Sequence, residues 1–181
     1  MKNPLKKITF RTIPVYIGVI VLLWKAAPEK LFFIIGLILV VIGEFFRLWG
    51  CGHLVKTKEL IISGPYAYVR HPLYLGTYLI GFGFSLAAGM WWFLVLFQAA
   101  FLLYYYPRKE IIESSRLAAH YGEEYLVYMK SVPALLPSLK AYKKSGLKWS
   151  FGKILKNDEL GIVFADIAGI VILYLKLKNI I

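Results

Sequence analysis

Acidic residues are scarce in this chain: ten Asp and Glu stand against 22 Lys and Arg in 181 residues, a net charge of +12. Cysteine occurs once, at Cys51, and histidine three times, at His53, His71 and His120. A single cysteine excludes an internal disulfide and any multi-cysteine metal cluster. With three histidines a metal site would need carboxylate help at a spacing the chain does not display, so no metal is expected. Internal repeats and low-complexity tracts are also missing, which leaves a solenoid or an obviously duplicated transporter without support. Charge of either sign is absent from Leu73 through Tyr106, a run too long for one membrane crossing at about 1.5 Å per residue and long enough for two short ones.

What is present is apolar: 59% of the residues are hydrophobic and 17% aromatic, with a mean hydropathy of +0.64. These values exceed the roughly half-apolar makeup of soluble domains and indicate an integral membrane protein. The basic excess could suggest nucleic acid, but the cations lie between apolar stretches and no nucleic-acid motif accompanies them, so no such partner is expected. Spans are predicted over Thr12 to Ala27, Leu31 to Leu54, twice through a tight hairpin in Leu73 to Tyr106, and over Leu160 to Leu175. With a cytoplasmic N-terminus, Lys2, Lys6, Lys7, Arg11, Lys56, Lys58, Arg70 and the basic residues from Arg108 to Lys156 share one side. Only Lys25, Lys30, Lys176 and Lys178 fall on the other. Lys25 and Pro28 follow the first span without a small-residue cleavage site, which argues against a removable signal peptide.

The expected fold is therefore all-α: a single multi-pass membrane domain over residues 1–181, with about five transmembrane helices and a cytosolic amphipathic helix. Its parts are two N-terminal spans (1–54), a loop, hairpin and amphipathic cap (55–137), a basic linker (138–157) and a C-terminal span (158–181). The hairpin should turn at Ala87-Ala88-Gly89-Met90, with Trp91 and Trp92 at the far interface and Gly76, Gly81 and Gly83 permitting close helix approach. Pro107 can open the charged helix that follows, whose apolar face reads Ile111, Leu117, Tyr121, Tyr125 and Tyr128, interrupted at His120-Tyr121-Gly122. Continuity with the hairpin would carry Glu110 and Glu113, three apart on one face, back towards residues 64–74. The lysine-rich, acid-free linker suits anionic lipid head groups. Asn157-Asp158-Glu159 should cap the last span, where Gly161, Ala165 and Gly169 recur as a packing stripe and Asp166 is an intramembrane carboxylate. Glu44 and Arg47, three apart near the end of span two, can pair, with Trp49 anchoring at the interface.

The densest polar chemistry lies in Gly64-Pro65-Tyr66-Ala67-Tyr68-Val69-Arg70-His71-Pro72-Leu73-Tyr74, an Arg-His pair between two prolines at the foot of the hairpin. The preceding Lys58-Glu59-Leu60-Ile61-Ile62 reads as extended or loosely helical. Irregular backbone at head-group depth must be covered by protein or line a wet cavity, so a pocket is expected here. This block, with Leu75-Gly76, and a second one resemble the isoprenylcysteine carboxyl methyltransferase and phospholipid methyltransferase superfamily of integral membrane enzymes. The second block runs from Glu113 through Leu117, Tyr121-Gly122-Glu123-Glu124-Tyr125 and Tyr128 to Val132-Pro133 and Leu136-Pro137.

The resemblance covers about half of the chain, residues 43–137, and implies S-adenosylmethionine as methyl donor, bound between the membrane and a cytosolic cap. By analogy Leu60, Ile61, Tyr66, Arg70, His71, Pro72, Tyr74 and Glu113 line the cofactor site. Arg108 and Lys109 stand where the family keeps an Arg near the acceptor, and with Glu113 they are the candidate catalytic residues. The residue types suit the donor, whose carboxylate, ammonium and sulfonium ask for a cation or imidazole, a carboxylate and aromatic faces. A carboxylate acceptor needs no base and wants a nearby cation; an amine acceptor needs a base, for which Glu110 or Glu113 would serve. The acceptor is lipophilic, an isoprenylcysteine-type carboxylate or a phospholipid-type amine, and the oligomeric state is open. One departure is clear: Glu113-Ser114 replaces a usual Glu-Glu pair, so a second carboxylate must come from Glu110 or be absent. Two other readings are an NADPH-dependent membrane reductase of the sterol type and a non-catalytic membrane protein with a degenerate pocket.

Overall fold

The computed structural model describes residues 13–54, 60–142, 148–157 and 159–181, without the Lys156 side chain. The N-terminal cations from Lys2 to Arg11, Thr12 at the start of span one, Lys56, Lys58 and Glu59, the middle of the basic linker (143–147) and the expected cap Asp158 lie outside the described residues. Among those described there are only helices and loops: α1 (Ile13–Lys25), α2 (Lys30–His53), a tight turn at Gly64–Ala67, α3 (Pro72–Ala87), α4 (Trp91–Ala99), α5 (Tyr106–Tyr121), α6 (Glu123–Ser131), α7 (Phe151–Lys156) and α8 (Glu159–Leu177). The apolar helices follow the predicted spans closely. By length and composition α2 and α8 can each cross a bilayer, with mean hydropathies of 2.4 and 2.1, while α1 and α3 are shorter apolar helices.

The α2–α3 contact is the tightest in the bundle, and glycines on both helices make it so. A Cβ at Gly36 would overlap the Gly83 carbonyl, and one at Gly43 the Gly76 carbonyl, with the reverse overlaps at Gly83 and Gly76. The backbones meet without intervening side chains, which is how helices gain van der Waals contact where there is no water to expel. Gly81 receives the Phe97 ring of α4 instead. The hairpin turns where expected, through Gly89 at φ +67°, and the Ala27 N–H donates to the Ala88 carbonyl at 2.9 Å, tying the α1–α2 corner to this turn. Trp91 and Trp92 are exposed at that end.

The helix after the turn does not stop. α4 passes through a widened π segment (Ala100–Tyr105) into α5, so one continuous rod joins the apolar hairpin to the charged helix. Pro107 sits in the first turn of α5. It lacks an N–H and crowds the carbonyl four residues back, and the wider π turn just before it accommodates both effects. Glu110 and Glu113 are thereby held in register with the bundle.

Three details depart from the sequence reading. Arg47 does not pair with Glu44: its Nε donates to Glu159 Oε1 at 2.5 Å and its Nη1 to Thr77 Oγ1 at 2.5 Å, while Glu44 lies against Asp166. Glu159, expected to help cap α8, instead turns inward to bind Arg47 and accept from Cys51 Sγ at 3.3 Å. Of the stripe of Gly161, Ala165 and Gly169, Gly169 packs, against Phe84, while Gly161 and Ala165 are exposed. A buried cation stripped of water seeks the best carboxylate in three dimensions, and helix spacing along one chain does not see a partner on another helix. Similarly, Ile111 faces outward, 66% exposed, because α5 turns its other side to the site.

The Arg47–Glu159 pair, with side chains 12% and 4% exposed, fastens α8 to α2 and α3. Glu159→Ala is expected to cost about 3 kcal/mol by leaving a buried guanidinium unpaired, lowering the unfolding midpoint in detergent by roughly 6–12 °C. The double substitution Arg47→Met, Glu159→Met should recover most of this loss. Equal losses in the single and double variants would contradict the pairing.

Candidate active site

The loop between α2 and α3 owes its shape to two backbone requirements. Gly64 adopts φ +58° directly over the His53 ring, where no Cβ would fit, and Pro65 fixes the start of the turn that buries Tyr66 and Ala67. His53, buried at the end of α2, is anchored through Nδ1 to the Trp49 carbonyl at 3.0 Å. The irregular backbone beyond is satisfied by the stretch after α6, which lies along it as a strap. Arg70 N donates to the Pro133 carbonyl at 2.9 Å and His71 N to that of Ala134 at 3.2 Å. Ser138 N and Tyr142 N donate to the Tyr68 and Ala67 carbonyls, both at 2.8 Å. Each of these bonds removes a polar group that hydrocarbon could not satisfy.

α6 closes the other side. After the Gly122 turn at φ +57°, Tyr125, Tyr128 and Val132 form a buried cluster with Leu60, Ile62, Leu117 and Tyr121 around it. Tyr128 donates its hydroxyl to the Tyr66 carbonyl at 2.7 Å. Burial pushes the phenols of Tyr66 and Tyr128 above their ordinary pKa, so both remain protonated.

Within this frame the polar residues converge. Arg70 Nη1 donates to Glu110 Oε1 at 2.7 Å and its Nε to the Val132 carbonyl at 3.0 Å. His71 Nε2 pairs with the other Glu110 oxygen, Oε2. On its far side His71 Nδ1 lies 4.0 Å from Glu113 Oε2, which accepts from the Tyr74 hydroxyl at 2.7 Å. Ser114 donates to Glu110 Oε1 at 3.1 Å and shares a 2.8 Å bond with the Tyr125 hydroxyl. The rings of Tyr74 and Tyr106 stand 5.3 and 6.4 Å from the imidazole, and Tyr105 is 6.2 Å from Tyr74. One end of this row is locked, with Glu110 held by Arg70, His71 and Ser114. The other is open, since among the described residues Glu113 Oε1 has Arg116 at 3.6 Å, a side chain 74% exposed.

Of the residues expected at the site, Tyr66, Arg70, His71, Pro72, Tyr74 and Glu113 are brought together at the joint of loop, α3 and α5. Leu60 packs on the tyrosine cluster, and Ile61 is half-buried beside it. Arg108 and Lys109 point elsewhere: both are exposed, their cations over the rings of Tyr104 and Tyr105 at 5.8 Å. Glu110 carries more than sequence reasoning gave it, and the available signal was its position one turn before Ser114, on the same helix face. Of the two carboxyls on this face, Glu110 is the one that Ser114 meets. The Val132 carbonyl and Tyr106 carried no signal, and Tyr125 was visible on the apolar face of the cap but not as a partner of Arg70 and Ser114, since these roles depend on how the strap, α5 and α6 close over the loop.

Burial alone would raise the Glu110 pKa, but the hydrogen bond and charge of His71, then the Arg70 guanidinium and the Ser114 hydroxyl, hold it down at about 2 from an ordinary 4.5. A depressed carboxyl stabilises the fold fully above its unfolded value and loses that contribution as pH falls through its folded value. The unfolding midpoint of the natural chain should exceed that of Glu110→Gln by a constant margin above pH 4.5. The margin should shrink as the pH approaches about 2, and a margin that does not change across this window would contradict the ion pairing.

Residues 31–124 match the phospholipid methyltransferase family. Among curated proteins, the chain is similar to the protein-S-isoprenylcysteine O-methyltransferases of Xenopus laevis, 33% identical over 122 residues, and of Homo sapiens, 34% over 125 residues. These matches cover 61% and 60% of this chain and 42% of each relative. The counterpart from Schizosaccharomyces pombe is 31% identical over 90 residues, 47% of this chain and 38% of that protein. The matched region thus spans less than half the length of these relatives.

Proposed function

We propose a function from one premise: the chain belongs to the phospholipid methyltransferase family, whose match covers residues 31–124. On that premise it is an integral membrane methyltransferase that uses S-adenosylmethionine to methylate a lipophilic acceptor reaching the site from the bilayer. The observation that carries this reading is the approach of His71 Nδ1 to Glu113 Oε2, 4.0 Å apart, inside the shell of Tyr74, Tyr105 and Tyr106. Five crossings, by α1, α2, the two arms of the hairpin and α8, with the site on the cytoplasmic side, agree with the positions of the apolar helices and with the distribution of Lys and Arg.

The side chains present fit the donor. Glu113 keeps one oxygen free of any buried partner and can accept an ammonium. His71, and Arg70 beyond it, are the groups suited to a carboxylate. The three tyrosine rings supply faces for a sulfonium, and Leu60, Ile61, Tyr66 and Pro72 supply an apolar wall. When bound, S-adenosylmethionine contributes a methyl group on a sulfonium, open to in-line displacement. The chain has only to align the reactants and keep water out. Glu110 acts as a positioning residue, fixing both Arg70 and His71. In this reading Arg108 and Lys109, exposed on the rod beside Tyr104 and Tyr105, serve the acceptor.

The state of Glu110 bears on the acceptor. Held ionised at about 2 and occupied by Arg70 and His71, it is a poor base at neutral pH. An acceptor that arrives already anionic, such as the carboxylate of a prenylated cysteine, needs no proton removed and agrees with the names of the relatives.

Calorimetry on detergent-purified protein tests the donor site, with S-adenosylhomocysteine as ligand and NADPH for comparison. S-adenosylhomocysteine should bind and NADPH should not. His71→Ala and Glu113→Ala should each weaken binding at least about tenfold, the loss of one charge-assisted hydrogen bond, with the far-ultraviolet spectrum unchanged. Arg108→Ala and Lys109→Ala should spare donor affinity and slow transfer to a prenylated cysteine. Unchanged affinity in both site variants would overturn the assignment; binding of NADPH alone would favour a reductase, and binding of neither a non-catalytic protein.

A further inference from the structure

An apolar groove of about 360 Å³ lies between the C-terminal third of α2 and the strand of chain leading into α7, lined by Phe45, Leu48, Trp49 and Trp149. None of the residues around His71 lines it. Its outer wall is fixed rather than draped. The Trp149 indole N–H donates to the Leu48 carbonyl at 3.2 Å, Ser150 N donates to the Gly52 carbonyl at 3.0 Å, and the indole rests where any Cβ on Gly52 would stand. With its one polar atom spent on the backbone, Trp149 presents only its ring to the groove.

The rim is cationic. Lys148 is exposed beside Trp149, and Lys153 reaches back along α7 so that its Nζ donates to the Lys148 carbonyl at 3.0 Å. That contact holds the Lys153 ammonium at the backbone of Lys148, and one hydrogen bond leaves it two N–H donors for a further acceptor. From residue 138 to residue 157 the chain contains lysines and no Asp or Glu, so nothing in this segment neutralises them. Beyond the rim Phe151 and Leu155 are exposed, 53% and 52%, as expected of a short helix lying at a membrane surface. An apolar slot that begins on α2 and ends at Trp149, whose chain neighbour Lys148 is exposed and receives Lys153 on its carbonyl, has the polarity sequence of one lipid: chain below, anion above.

We propose that this groove seats one molecule of anionic phospholipid, its acyl chain against Phe45, Leu48, Trp49 and Trp149 and its phosphate between Lys148 and Lys153. The seat rests on the reading of α2 as a membrane span but not on the methyl-transfer chemistry. Trp49 is also the link inward, because its ring stands 6.2 Å from that of Tyr68, two residues before Arg70. The lipid chain therefore packs on the ring that backs the donor loop.

The test uses the full chain in phosphatidylcholine vesicles containing a small fraction of either phosphatidylglycerol or phosphatidylcholine with brominated chains, which quench tryptophan on contact. Brominated phosphatidylglycerol should quench more strongly. The preference should survive replacement of Trp24, Trp91 and Trp92 by Phe and vanish in Trp49→Phe, Trp149→Phe. It should fall about fivefold for each of Lys148→Ala and Lys153→Ala, the attraction of one surface cation for an anionic head group. Lys130→Ala, which removes an exposed cation from α6, should leave it unchanged. Equal quenching by the two lipids, or an equal loss in Lys130→Ala, would overturn the seat in favour of diffuse surface attraction. Flotation of the chain with the vesicles at high salt reads the membrane assignment separately: a chain that floats but shows no preference refutes the seat alone, and one that does not float refutes both.

Discussion

The guanidinium of Arg70 holds together three parts of the chain that are far apart in sequence. It reaches Glu110 on the charged end of the long rod, the Val132 carbonyl at the end of α6 and, at 3.5 Å, the Tyr125 hydroxyl. Its planar fork can serve several acceptors at once, which an ammonium on a flexible stem could not do with the same geometry. With Arg70 fixed, its neighbour His71 is pinned against Glu110, and α5 is set at a height where Glu113 falls beside Tyr74. The strap of residues 133–142 then satisfies the loop backbone that Arg70 has drawn into place.

Such a knot needs a rigid base, and the bundle supplies it by unlike means at its two ends. At the end carrying the hairpin turn, contact is apolar: Leu22, Phe33, Ala88, Met90 and Leu173 pack together, and glycines bring α2 and α3 backbone to backbone. Towards the site end the contacts become polar, with Arg47, Thr77, Cys51 and Glu159 joining α2, α3 and α8. The rod of α4 and α5 joins the first region to the second, since the helical hydrogen bonding continues through the π segment without a loop. The locked carboxylate at Glu110 and the open one at Glu113 follow from their positions on this rod. One faces the loop and its cations, the other the edge where only a surface arginine competes.

Much of this was legible in the residues. The helices, the hairpin turn and the Arg-His loop are marked by local signals: uncharged runs, Gly89 and the Pro-flanked motif. The tyrosines of α6 were visible because their spacing repeats on one helix face, and Glu113 because of the resemblance, with Glu110 three residues before it on the same face. The partners were not legible. Gly76 and Gly83 announced a close approach without saying that Gly43 and Gly36 would meet them, and Arg47 sits three residues from an acid it does not bind. A neighbour at helical spacing lies on the surface of its own helix, whereas a buried charge is paired by whichever helix packs against it.

By itself the sequence determined the all-helical class, the boundaries of the apolar helices and the loop that carries Arg70 and His71, because each depends on residues within a few positions of one another. Only the tertiary structure decided that Glu110 meets Arg70 and Ser114, that Glu159 reaches back to Arg47, and that Arg108 and Lys109 are exposed. The reason is rotational as much as spatial. A helix face is known from sequence only relative to itself, and which face meets the loop is fixed when α2, α3 and the rod lock together.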